Sequence, residues 1–476
     1  MKTAGIIAEY NPFHNGHAYH IRETRRLTGA SHIVVIMSGD FVQRGEPAIL
    51  NKYVRARMAL MNGADLVLEL PVACATASAE SFAAGAVGIL DRLGIVEVVS
   101  FGCEHRMSPL FDRLARLYLK EPRDYALLLK EGLRQGLTYP KARARATGQW
   151  LKEHQPDALP PENLLSSPNS ILALEYHKAL IASGSRMKPV TVLRKGDYHS
   201  TELPGERHGE ASLSEYAPAQ TSGSCFHSGS SSASGSDYAS ASAIRALLFS
   251  KDIRGDSLAP LLSRQVPPDV ATLLLSRSDY MQADDFSLAL GYALLSACLG
   301  RTEENGLSRV DGLSCFADLS PELARRIAGH VEEYAGFTAF TDRIKTRQLT
   351  RTRVSRALLH LLLQIREDQT DRWRQRNFAF YARVLGFRKS GVPLLSAIKK
   401  KGSLPILTKM ADARETLRHY YKEENPAILA AALEMLQADL FAAGLYETTA
   451  AARHSRLPEN EFRHGLVFPD GSVRNR

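Results

Sequence analysis

The sequence predicts an α/β protein in which a doubly wound parallel sheet is followed by a mainly α-helical domain. Over roughly the first hundred residues, short apolar runs alternate with longer segments of helical periodicity, as strands and crossover helices do in a parallel sheet. Beyond about residue 250 the strand signal fades and helical patterns such as ALGYALLSACL dominate. We therefore divide the chain into a first domain over 1–250 and a helical domain over 251–476.

Four apolar runs near the N-terminus have the length of buried strands, and three helical patterns separate them. The predicted strands are Ala4–Ala8, His32–Ser38, Asp65–Leu70 and Val96–Phe101. The predicted helices cover residues 16–28, 51–63 and 79–93. Each of these helices is long enough to connect two parallel strands. A further helix over Asn169–Ile181 and a strand over Pro189–Leu193 are predicted to extend the same sheet.

The composition changes abruptly between residues 206 and 242, where Ser, Gly and Ala predominate in the string SGSCFHSGSSSASGSDYASAS. Such a segment has too few apolar side chains to form a packed core. The sequence therefore predicts a mobile loop at this point, close to the end of the first domain.

The overall composition is that of a soluble globular protein, with 476 residues, 44% apolar and 23% charged. The five cysteines are scattered and form no C-x-x-C pair, which excludes a disulfide scaffold and a four-thiolate zinc site and favours a reducing compartment. The N-terminal apolar run is too short for a signal peptide, and no run of eighteen apolar residues occurs. We expect a cytoplasmic protein that does not span a membrane.

The positive charge of the chain is concentrated in residues 341–401. The formal net charge is +9, but this stretch alone has sixteen Lys and Arg residues against four Asp and Glu, a net +12. Such a surface can neutralise phosphates and release counterions, as nucleic-acid-binding proteins do. The interleaved aromatic residues can stack on bases or fill a core, and the sequence leaves both readings open. The aromatic residues are Trp373, Phe378, Phe380, Tyr381 and Phe387.

The most specific local motif is EYNPFHNGHAYH, from Glu9 to His20, between the first predicted strand and the first helix. Ligands of open α/β sheets bind at this kind of junction. Gly16 permits close approach of the backbone, and His14 and His17 lie at a helix N-terminus, where an anion is favoured. Two imidazoles at this position can donate hydrogen bonds to a phosphate. The three-residue spacing of the histidines also suits a metal, but no fourth ligand is nearby, and we predict no metal site.

His14-Asn15-Gly16-His17 after GIIAEYNPF resembles the H-x-G-H signature of the nucleotidylyltransferase superfamily, which has a Rossmann-like domain. Six strings together resemble the tRNA(Met) cytidine acetate ligase family. They are GIIAEYNPFHNGH, MSGDFVQRGEPAI, DLVLELP, PNSILALEYHKAL, SASAIR and TRVSRALLHLLL. The resemblance runs in order through most of the chain and weakens towards the C-terminus.

The resemblance implies an ATP-dependent ligase. Members of the family join acetate and ATP into acetyl-adenylate with release of pyrophosphate. They then acetylate the exocyclic amine of the wobble cytidine in elongator tRNA(Met), forming N4-acetylcytidine and AMP. The implied ligands are therefore ATP, Mg²⁺, acetate and the anticodon arm of that tRNA. The oligomeric state is left open.

The resemblance also implies roles for particular positions. His14 and His17 match the catalytic pair, and Ser240, Ser242 and Arg245 in SASAIR match a second phosphate-binding motif. Considered alone, the two serines can equally be simple helix N-caps. The implied ATP contacts are Ile7, Ala8, Glu9, Tyr10, Asn11, Pro12, Phe13, His14, Asn15, Gly16, His17, His20, Gly102, Asn169, Arg194 and Lys195.

A candidate substrate pocket follows the second predicted strand. Ser38, Gly39 and Asp40 end that strand at the carboxyl edge of the sheet, where ligands of such folds bind. The adjoining string QRGE, residues 43–46, is a candidate for the acetate or the cytidine pocket, and the sequence does not decide between them. Asp40 departs from the Asn or His expected in this family, and the Ser/Gly-rich stretch is longer than expected.

Two other functions use the same features. A small-molecule adenylyltransferase that makes a dinucleotide-type cofactor needs the first domain but no large basic helical half. A non-catalytic RNA-binding protein needs the basic half but not an intact histidine motif. We favour the ligase, with the tRNA contacted first by five cations of the basic stretch. They are Arg343, Lys345, Arg347, Arg351 and Arg353.

Overall fold

A computed structural model describes most of the chain. It covers residues 1–104, 108–155, 164, 167–194, 238–250, 253, 257–299 and 309–474. The predicted mobile loop over 206–242 therefore lies outside the described residues up to residue 237, and so does Lys195.

Eleven strands occur in the described part of the chain, and the five longer strands of the first half lie within a few residues of their predicted bounds or coincide with them. The strands are β1 (Thr3–Ala8), β2 (His32–Ser38), β3 (Phe41–Val42), β4 (Glu46–Pro47), β5 (Leu66–Leu70), β6 (Val98–Cys103), β7 (Lys188–Leu193), β8 (Ala382–Phe387), β9 (Ile406–Leu407), β10 (Leu466–Val467) and β11 (Val473–Arg474).

Helices connect these strands and make up most of the second half. They are α1 (Asn15–Thr28), α2 (Lys52–Met61), α3 (Val72–Ala75), α4 (Ala79–Arg92), α5 (Ser108–Lys120), α6 (Arg123–Arg134), α7 (Tyr139–His154), α8 (Pro168–Ala182), α9 (Ala241–Phe249), α10 (Leu258–Gln265), α11 (Pro268–Leu275), α12 (Ser287–Leu299), α13 (Arg309–Ser314), α14 (Pro321–Ala328), α15 (Phe337–Ile344), α16 (Arg351–Leu362), α17 (Glu367–Arg374), α18 (Val392–Lys401), α19 (Ala413–Tyr420) and α20 (Pro426–Arg453).

One mixed sheet organises the described chain, with strand order β11-β10-β8-β5-β2-β1-β6-β7 and β9 paired to β8. The five strands from β5 to β7 are parallel, which confirms the predicted α/β fold with a helical C-terminal region. β8 from the second half then pairs antiparallel with β5, a mixed edge that the sequence did not predict. The division at residue 250 stays a prediction, but the sheet contains strands from both sides of it.

The two faces of the sheet bury two separate hydrophobic clusters, because successive residues of a strand point to opposite sides. In β2, Val34 and Ile36 belong to one cluster, which extends into the helical half. Ile33, Val35 and Met37 belong to the other, which α1, α2 and α9–α11 cover. Burial on both faces explains the continuous apolar run HIVVIMS, which is typical of parallel strands.

The interleaved aromatic residues of the basic stretch belong to the core. Trp373, Phe378, Phe380 and Tyr381 are all at most 1% exposed, so they are not available to stack on bases. Their presence between charged positions reflects the alternation of buried and exposed faces in short elements. Of the two alternatives, stacking on bases or filling a core, these four residues therefore do the second.

The helix α20 is long and apolar enough to cross a membrane by length and composition alone. In this structure it packs within the fold. Its Asp439 is 3% exposed and accepts hydrogen bonds from the backbone N–H of Val72 and the hydroxyl of Tyr381, at 2.8 and 2.7 Å. Tyr446 of the same helix donates to the carbonyl of Ala48 at 2.8 Å. α20 therefore fastens the helical half to the loops of the first half.

A buried group of charges joins the two halves at β5 and β8. The ammonium of Lys52 on α2 lies 3.3 Å from Asp40, 3.1 Å from Glu69 and 3.0 Å from Glu461. Arg383 on β8 lies 2.7 Å from Glu69 and also pairs with Glu461. Burial opposes the charge on Lys52, but the carboxylates of Glu69 and Asp40 outweigh it and raise the pKa of the ammonium. We call these five residues the buried charge cluster.

The buried charge cluster makes Lys52 a strong test of folding energetics. Lys52→Met keeps the length of the side chain but leaves Asp40, Glu69 and Glu461 short of a buried cation. We expect the free energy of unfolding to fall by about 3–5 kcal/mol, as for other broken buried pairs, measured by urea denaturation. The matched control is Arg116→Met, which removes an exposed i,i+4 pair with Asp112 and is expected to cost less than about 1 kcal/mol. Equal losses in the two variants would contradict a structural role for the cluster.

Candidate functional site

A cleft opens at the carboxyl ends of β1, β6 and β7, the edge where open parallel sheets bind ligands. It gathers fifteen of the sequence-predicted site residues from five separate segments of the chain. These residues are Ile7, Ala8, Glu9, Tyr10, Asn11, His14, Gly16, His17, His20, Gly102, Asn169, Arg194, Ser240, Ser242 and Arg245.

The turn between β1 and α1 is held in an unusual conformation. Tyr10 has a φ of 49°, in the left-handed region that aromatic residues rarely adopt. The Asn11–Pro12 peptide bond is cis. The side chain of Asn11 accepts a hydrogen bond from the backbone N–H of Ile49 at 2.7 Å, and this contact supports the turn. The left-handed φ of Tyr10 is backbone strain of a kind that concentrates at functional sites.

The two motif histidines cap α1. His14 is the N-cap, and its Nδ1 accepts a hydrogen bond from the backbone N–H of Gly16 at 3.1 Å. The Nδ1 of His17 accepts from the backbone N–H of His14 at 3.2 Å. A Cβ at position 16 would lie 2.8 Å from Cε1 of His14, so the motif needs glycine there. The rings of His14 and His17 lie against each other at an interplanar angle of 31°, with centroids 3.7 Å apart.

This capping arrangement determines which ring nitrogen carries the proton. Because both Nδ1 atoms accept backbone hydrogen bonds, a neutral ring of either histidine has its proton on Nε2. Burial lowers the pKa of His14 to about 3, and the Arg194 guanidinium adds to the shift. Burial, the neighbouring His14 and Arg194 lower the pKa of His17 well below its usual value. The cleft is therefore lined by two neutral imidazoles that offer Nε2–H donors.

His20 lies on α1, three residues after His17. Its Nε2 is 3.1 Å from Oγ of Ser100 on β6, which in turn is 2.7 Å from the hydroxyl of Thr24. Burial lowers the pKa of His20 to about 4, with a smaller contribution from Arg194. These hydrogen bonds fix α1 against β6.

A second helix N-terminus, that of α9, also meets the cleft. Ser240 is its N-cap and accepts a hydrogen bond from the backbone N–H of Ala243 at 3.1 Å, so the simple capping role is present. Arg245 donates to the carbonyl of Asn11 at 2.8 Å and lies 3.1 Å from Glu46 and 3.4 Å from the hydroxyl of Ser242. Two positive helix ends and the guanidinium of Arg245 therefore meet at this side of the cleft.

An acidic residue that the sequence did not point to holds the opposite wall. Glu104, just after β6, accepts hydrogen bonds from Ser167 and Asn169, both at 2.6 Å. Burial opposes its ionisation, but these bonds prevail and hold the pKa of Glu104 below its usual value. Asn169 in turn accepts from Arg194 at 3.4 Å. Asn169 and Arg194 were predicted, whereas Glu104 becomes recognisable only through these long-range contacts.

The remaining wall of the cleft is apolar and aromatic. Phe101 and Tyr176 pack with their ring centroids 5.2 Å apart. A Cβ at Gly102 would lie 3.3 Å from the side chain of Arg194, so a glycine here lets the Arg194 side chain pack closely against the end of β6. These apolar positions were not predicted as site residues, because a buried aromatic residue has no sequence signature that separates a cleft from a core. The apolar lining comprises Phe82, Phe101, Leu172, Tyr176, Val192 and Leu193.

Glu9 supplies a buried carboxylate at the end of β1. It accepts a hydrogen bond from the backbone N–H of Gln43 at 2.8 Å. Burial raises its pKa, although that hydrogen bond and the charge of Arg44 oppose the shift. The β3–β4 hairpin, which contains the QRGE string, is thereby attached to the floor of the cleft.

Some predicted ATP contacts do not line the cleft. Phe13 is fully buried beneath it, with its ring centroid 4.8 Å from that of Tyr10. Asn15 faces away and donates to the carbonyl of Arg264 at 2.9 Å. Pro12 lies in the turn but is not part of the lining.

Ser38, Gly39 and Asp40 are not part of this cleft either. Asp40 is 6% exposed, belongs to the buried charge cluster and accepts a hydrogen bond from the backbone N–H of Lys52 at 2.8 Å. The carbonyls of Ser38 and Gly39 accept from the buried guanidinium of Arg55. A Cβ at Gly39 would meet a carboxylate oxygen of Glu69. The segment thus has a structural role here, and local sequence could not reveal it because its partners are distant in the chain.

A small polar cavity adjoins the cleft. Arg44, Glu46 and Arg245 line both spaces, and the far side of the cavity is formed by the first turn of α16, including Arg351 and Thr352. α16 is fixed to the hairpin because the hydroxyl of Ser355 donates to the carbonyl of Gly45 at 2.7 Å. One of the predicted tRNA contacts therefore lies directly beside the cleft.

The five predicted tRNA contacts are all exposed, but they differ in their partners. Arg343 pairs with Glu333, and Asp342 lies 2.8 Å from Lys345 and 3.3 Å from Arg351. Arg347 and Arg353 make no ion pair with any residue that the structure describes. Within the described ranges, no group of three or more His, Cys, Asp and Glu residues could hold a metal ion.

Comparison with protein families and curated proteins gives one consistent answer. The family model "HIGH Nucleotidyl Transferase" matches residues 1–214 and 215–460. The tRNA(Met) cytidine acetate ligase of Acetivibrio thermocellus is 35% identical over 469 residues, covering 98% of this chain and all of the relative. The enzyme of the same name from Halothermothrix orenii is 32% identical over 480 residues, covering this whole chain and 97% of the relative.

Solved structures agree with the sequence relatives. Thermotoga maritima TmcAL bound with alpha-thio ATP superposes with a TM-score of 0.79 and 27% identity, covering 98% of this chain and 99% of that one. The apo form of the same protein gives a TM-score of 0.81 with the same coverage.

The neutral histidines lead to a prediction about pH. In the nucleotide-free protein, we expect NMR titration from pH 8 to 5 to show no protonation of His14, His17 or His20. The unfolded chain protonates near pH 6.5, so it takes up protons that the folded chain does not, and the free energy of unfolding falls as the pH drops below that value. Each histidine contributes up to about 1.4 kcal/mol per pH unit.

The control for this prediction is the double variant His14→Asn and His17→Asn, in which asparagine still caps the helix. Urea unfolding at pH 7 and pH 5 should show a smaller acid-induced loss of stability in the variant. An identical loss, or NMR titration of the three rings near their ordinary pKa, would contradict the assignment of neutral imidazoles.

Proposed function

This chain belongs to the tRNA(Met) cytidine acetate ligase family, and we propose that it is an ATP-dependent ligase that acetylates the wobble cytidine of elongator tRNA(Met). In this proposal the cleft at the carboxyl edge of the sheet binds ATP and forms acetyl-adenylate. The acceptor RNA enters from the side of α16. The alternative of a dinucleotide-forming adenylyltransferase does not account for the full-length similarity to the ligases.

The observation that carries the proposal is the convergence of two capped helix N-termini on one cleft. The ends of α1 and α9 both present positive dipole, and His14, His17 and Arg245 add hydrogen-bond donors. This combination suits the phosphates of a nucleotide. The neutral Nε2–H groups donate without placing an unpaired buried charge in the cleft.

The apolar wall suits the base of the nucleotide. Phe101 and Tyr176 offer aromatic surface, and Arg194 lies against Gly102 on the same side. Asn169, held by Glu104, supplies an amide next to that surface. We assign the adenosine to this wall and the triphosphate to the helix N-termini.

The first step activates acetate. A carboxylate oxygen of acetate attacks the α-phosphorus of ATP, the bond from that phosphorus to the bridging oxygen breaks, and pyrophosphate leaves with the electron pair. Negative charge builds on the transferred group and the leaving group, and His14, His17 and Arg245 are placed to donate to those oxygens. The cleft also accelerates the step by holding the acetate carboxylate and the α-phosphorus of ATP in the geometry for attack.

The second step transfers the acetyl group. The exocyclic nitrogen of cytidine attacks the carbonyl carbon of acetyl-adenylate, the bond from carbon to the phosphate oxygen breaks, and AMP leaves while the nitrogen loses a proton. The cytosine amine is weakly nucleophilic because its lone pair is delocalised, so it needs a mixed anhydride as its partner.

Mg²⁺ would accompany ATP and neutralise phosphate charge. The described residues offer no metal-binding cluster, so we propose that the phosphates themselves hold the ion, with Glu9 and Glu46 as the acidic side chains in the cleft lining.

We place the anticodon arm against α16. Arg351 lines the polar cavity that Arg44 and Arg245 share with the cleft, so an RNA base reaching the cleft from this side passes cations along its route. A single-stranded anticodon loop can splay a base into such an opening. We also propose that the protein acts in the cytoplasm, where ATP and tRNA are available; the four cysteines in the described chain are free thiols.

The experiment that tests the proposal supplies labelled acetate, ATP and bulk tRNA and measures acetylcytidine and pyrophosphate. We expect pyrophosphate release that depends on acetate, and acetylcytidine only when tRNA is present. His17→Ala should lower the rate of acetate-dependent pyrophosphate release by about 10²–10³-fold, because one donor to the developing charge is lost. The affinity for tRNA should stay at the wild-type level. Pyrophosphate release at the same rate with and without acetate would overturn the ligase assignment.

A charge reversal separates RNA binding from adenylate formation. Arg351→Glu combined with Arg353→Glu should lower kcat/KM for tRNA by about tenfold or more at low salt, because phosphate contacts are lost, and the deficit relative to the wild type should shrink as the salt concentration rises. Acetate-dependent pyrophosphate release without tRNA should be retained. The matched control is Arg116→Glu with Arg123→Glu, which likewise removes one ion-paired exposed arginine and one that has no ion pair among the described residues. If control and test variants lose tRNA activity equally, α16 is not the RNA-facing element.

A further inference from the structure

A wide groove lies towards the amino ends of the parallel strands, whereas the ATP cleft lies at their carboxyl ends. In the proposed function, neither ATP, acetate nor the anticodon contacts this groove. It runs between the end of β8, the helix α18 and the C-terminal segment around β10. Its enclosed volume is about 1240 Å³, against about 220 Å³ for the ATP cleft. We call it the basic groove, because it is lined by Arg388, Lys389, Lys399, Lys409 and Arg463, with Asp470 as its single acidic lining residue.

The charge of the basic groove is largely uncompensated. In the described part of the chain, Arg388, Lys389, Lys399 and Arg463 make no ion pair; Lys409 lies 3.5 Å from Asp412. This differs from the 343–353 region, where Arg343, Lys345 and Arg351 all have carboxylate partners. Several cations without ion-pair partners that line one groove attract a polyanion.

The groove also has apolar and aromatic surface between its cations. Phe387 and Phe468 form an edge-to-face pair with centroids 5.1 Å apart, and Phe462 is 47% exposed next to Arg463. Val392 at the start of α18 is 50% exposed. Alternating cations and exposed rings are typical of surfaces that follow a nucleic-acid strand.

The position of the groove limits its occupant. β8 runs antiparallel to β5, so Phe387 lies opposite Leu66, at the amino end of the parallel strands, whereas the cleft lies at their carboxyl ends. β1 has six residues, about 20 Å of strand, and four strand spacings separate β1 from β10, about 19 Å more across the sheet. A ligand that reaches both sites must be long, and of the substrates only the tRNA is.

We propose that the basic groove binds the phosphate backbone of the substrate tRNA at a segment outside the anticodon arm. This inference rests on the proposed function, because it takes tRNA as the substrate. The α16 region then receives the anticodon, and the groove holds a remote part of the same molecule. Backbone contacts of this kind position an RNA without reading its bases.

The test variant is Lys389→Glu combined with Lys399→Glu, two exposed residues that line the groove just before α18 and near its C-terminal end. We expect the Kd for full-length tRNA to rise about tenfold or more at moderate salt, and the slope of log K against log salt to become shallower by about 2. Acetylation of an isolated anticodon stem–loop should proceed as with the wild type, because in this proposal the groove binds a segment that the stem–loop lacks.

The matched control is Lys130→Glu with Lys141→Glu, which makes the same charge change at two exposed lysines on α6 and α7. Acetate-dependent pyrophosphate release without RNA verifies that the cleft is intact in all variants. The inference is overturned if tRNA affinity stays within about twofold of the wild type, if the control loses as much, or if the stem–loop is weakened equally.

Other occupants give distinct results. Binding of phosphatidylserine-containing vesicles, or a change of oligomeric state, that disappears in the test variant while tRNA affinity is unchanged would assign the groove to a membrane or to a second copy, and overturn the proposal. Failure of the proposed function is separable from these outcomes. In that case the wild type would acetylate no RNA, and the groove variant would still report on tRNA binding.

Discussion

The buried charge cluster is the interaction on which the rest of the structure depends. Lys52 from the first half and Arg383 from the second share the carboxylates of Glu69 and Glu461, which fixes β8 beside β5 in one register. A buried ion pair contributes little net stability, but the loss of one partner is costly. A different register of β8 would leave buried charges without partners, so the cluster fixes the helical half to the sheet that carries the cleft.

Two further buried groups interact with the charges of the cluster, the carboxyl of Asp439 and the guanidinium of Arg55. Burial, together with the negative charge of Glu69, raises the pKa of Asp439 on α20 to about 7. Arg55, fully buried on α2, donates to the carbonyls of Glu9 at 2.5 Å and of Ser38 at 3.2 Å. One buried side chain thus holds the carboxyl ends of β1 and β2 together.

The parts of the site that could be predicted are those with a local signal. Strand, turn and helix between β1 and α1 follow from apolar runs and from the spacing of His14, Gly16 and His17. The role of Glu104 and the strand β8 depend on contacts between distant segments, for which a single sequence has no signal. For the same reason Ser38, Gly39 and Asp40 satisfied the rule for a ligand edge and yet form part of the buried interior, because their partners Lys52, Arg55 and Glu69 were not visible.

The density of positive charge along the chain indicates the class of partner, but it does not indicate where the charged side chains lie in the fold. The net charge of residues 341–401 suggests one surface, but the fold separates it. Arg351 lies beside the cleft, Arg383 is buried in the charge cluster, and Lys389 and Lys399 line the groove at the other edge of the sheet. This separation follows from β8, because an antiparallel strand carries the chain from the carboxyl edge of the parallel strands to their amino edge. A rigid sheet with cations at both edges suits a long, rigid polyanion whose chemistry occurs at one end only.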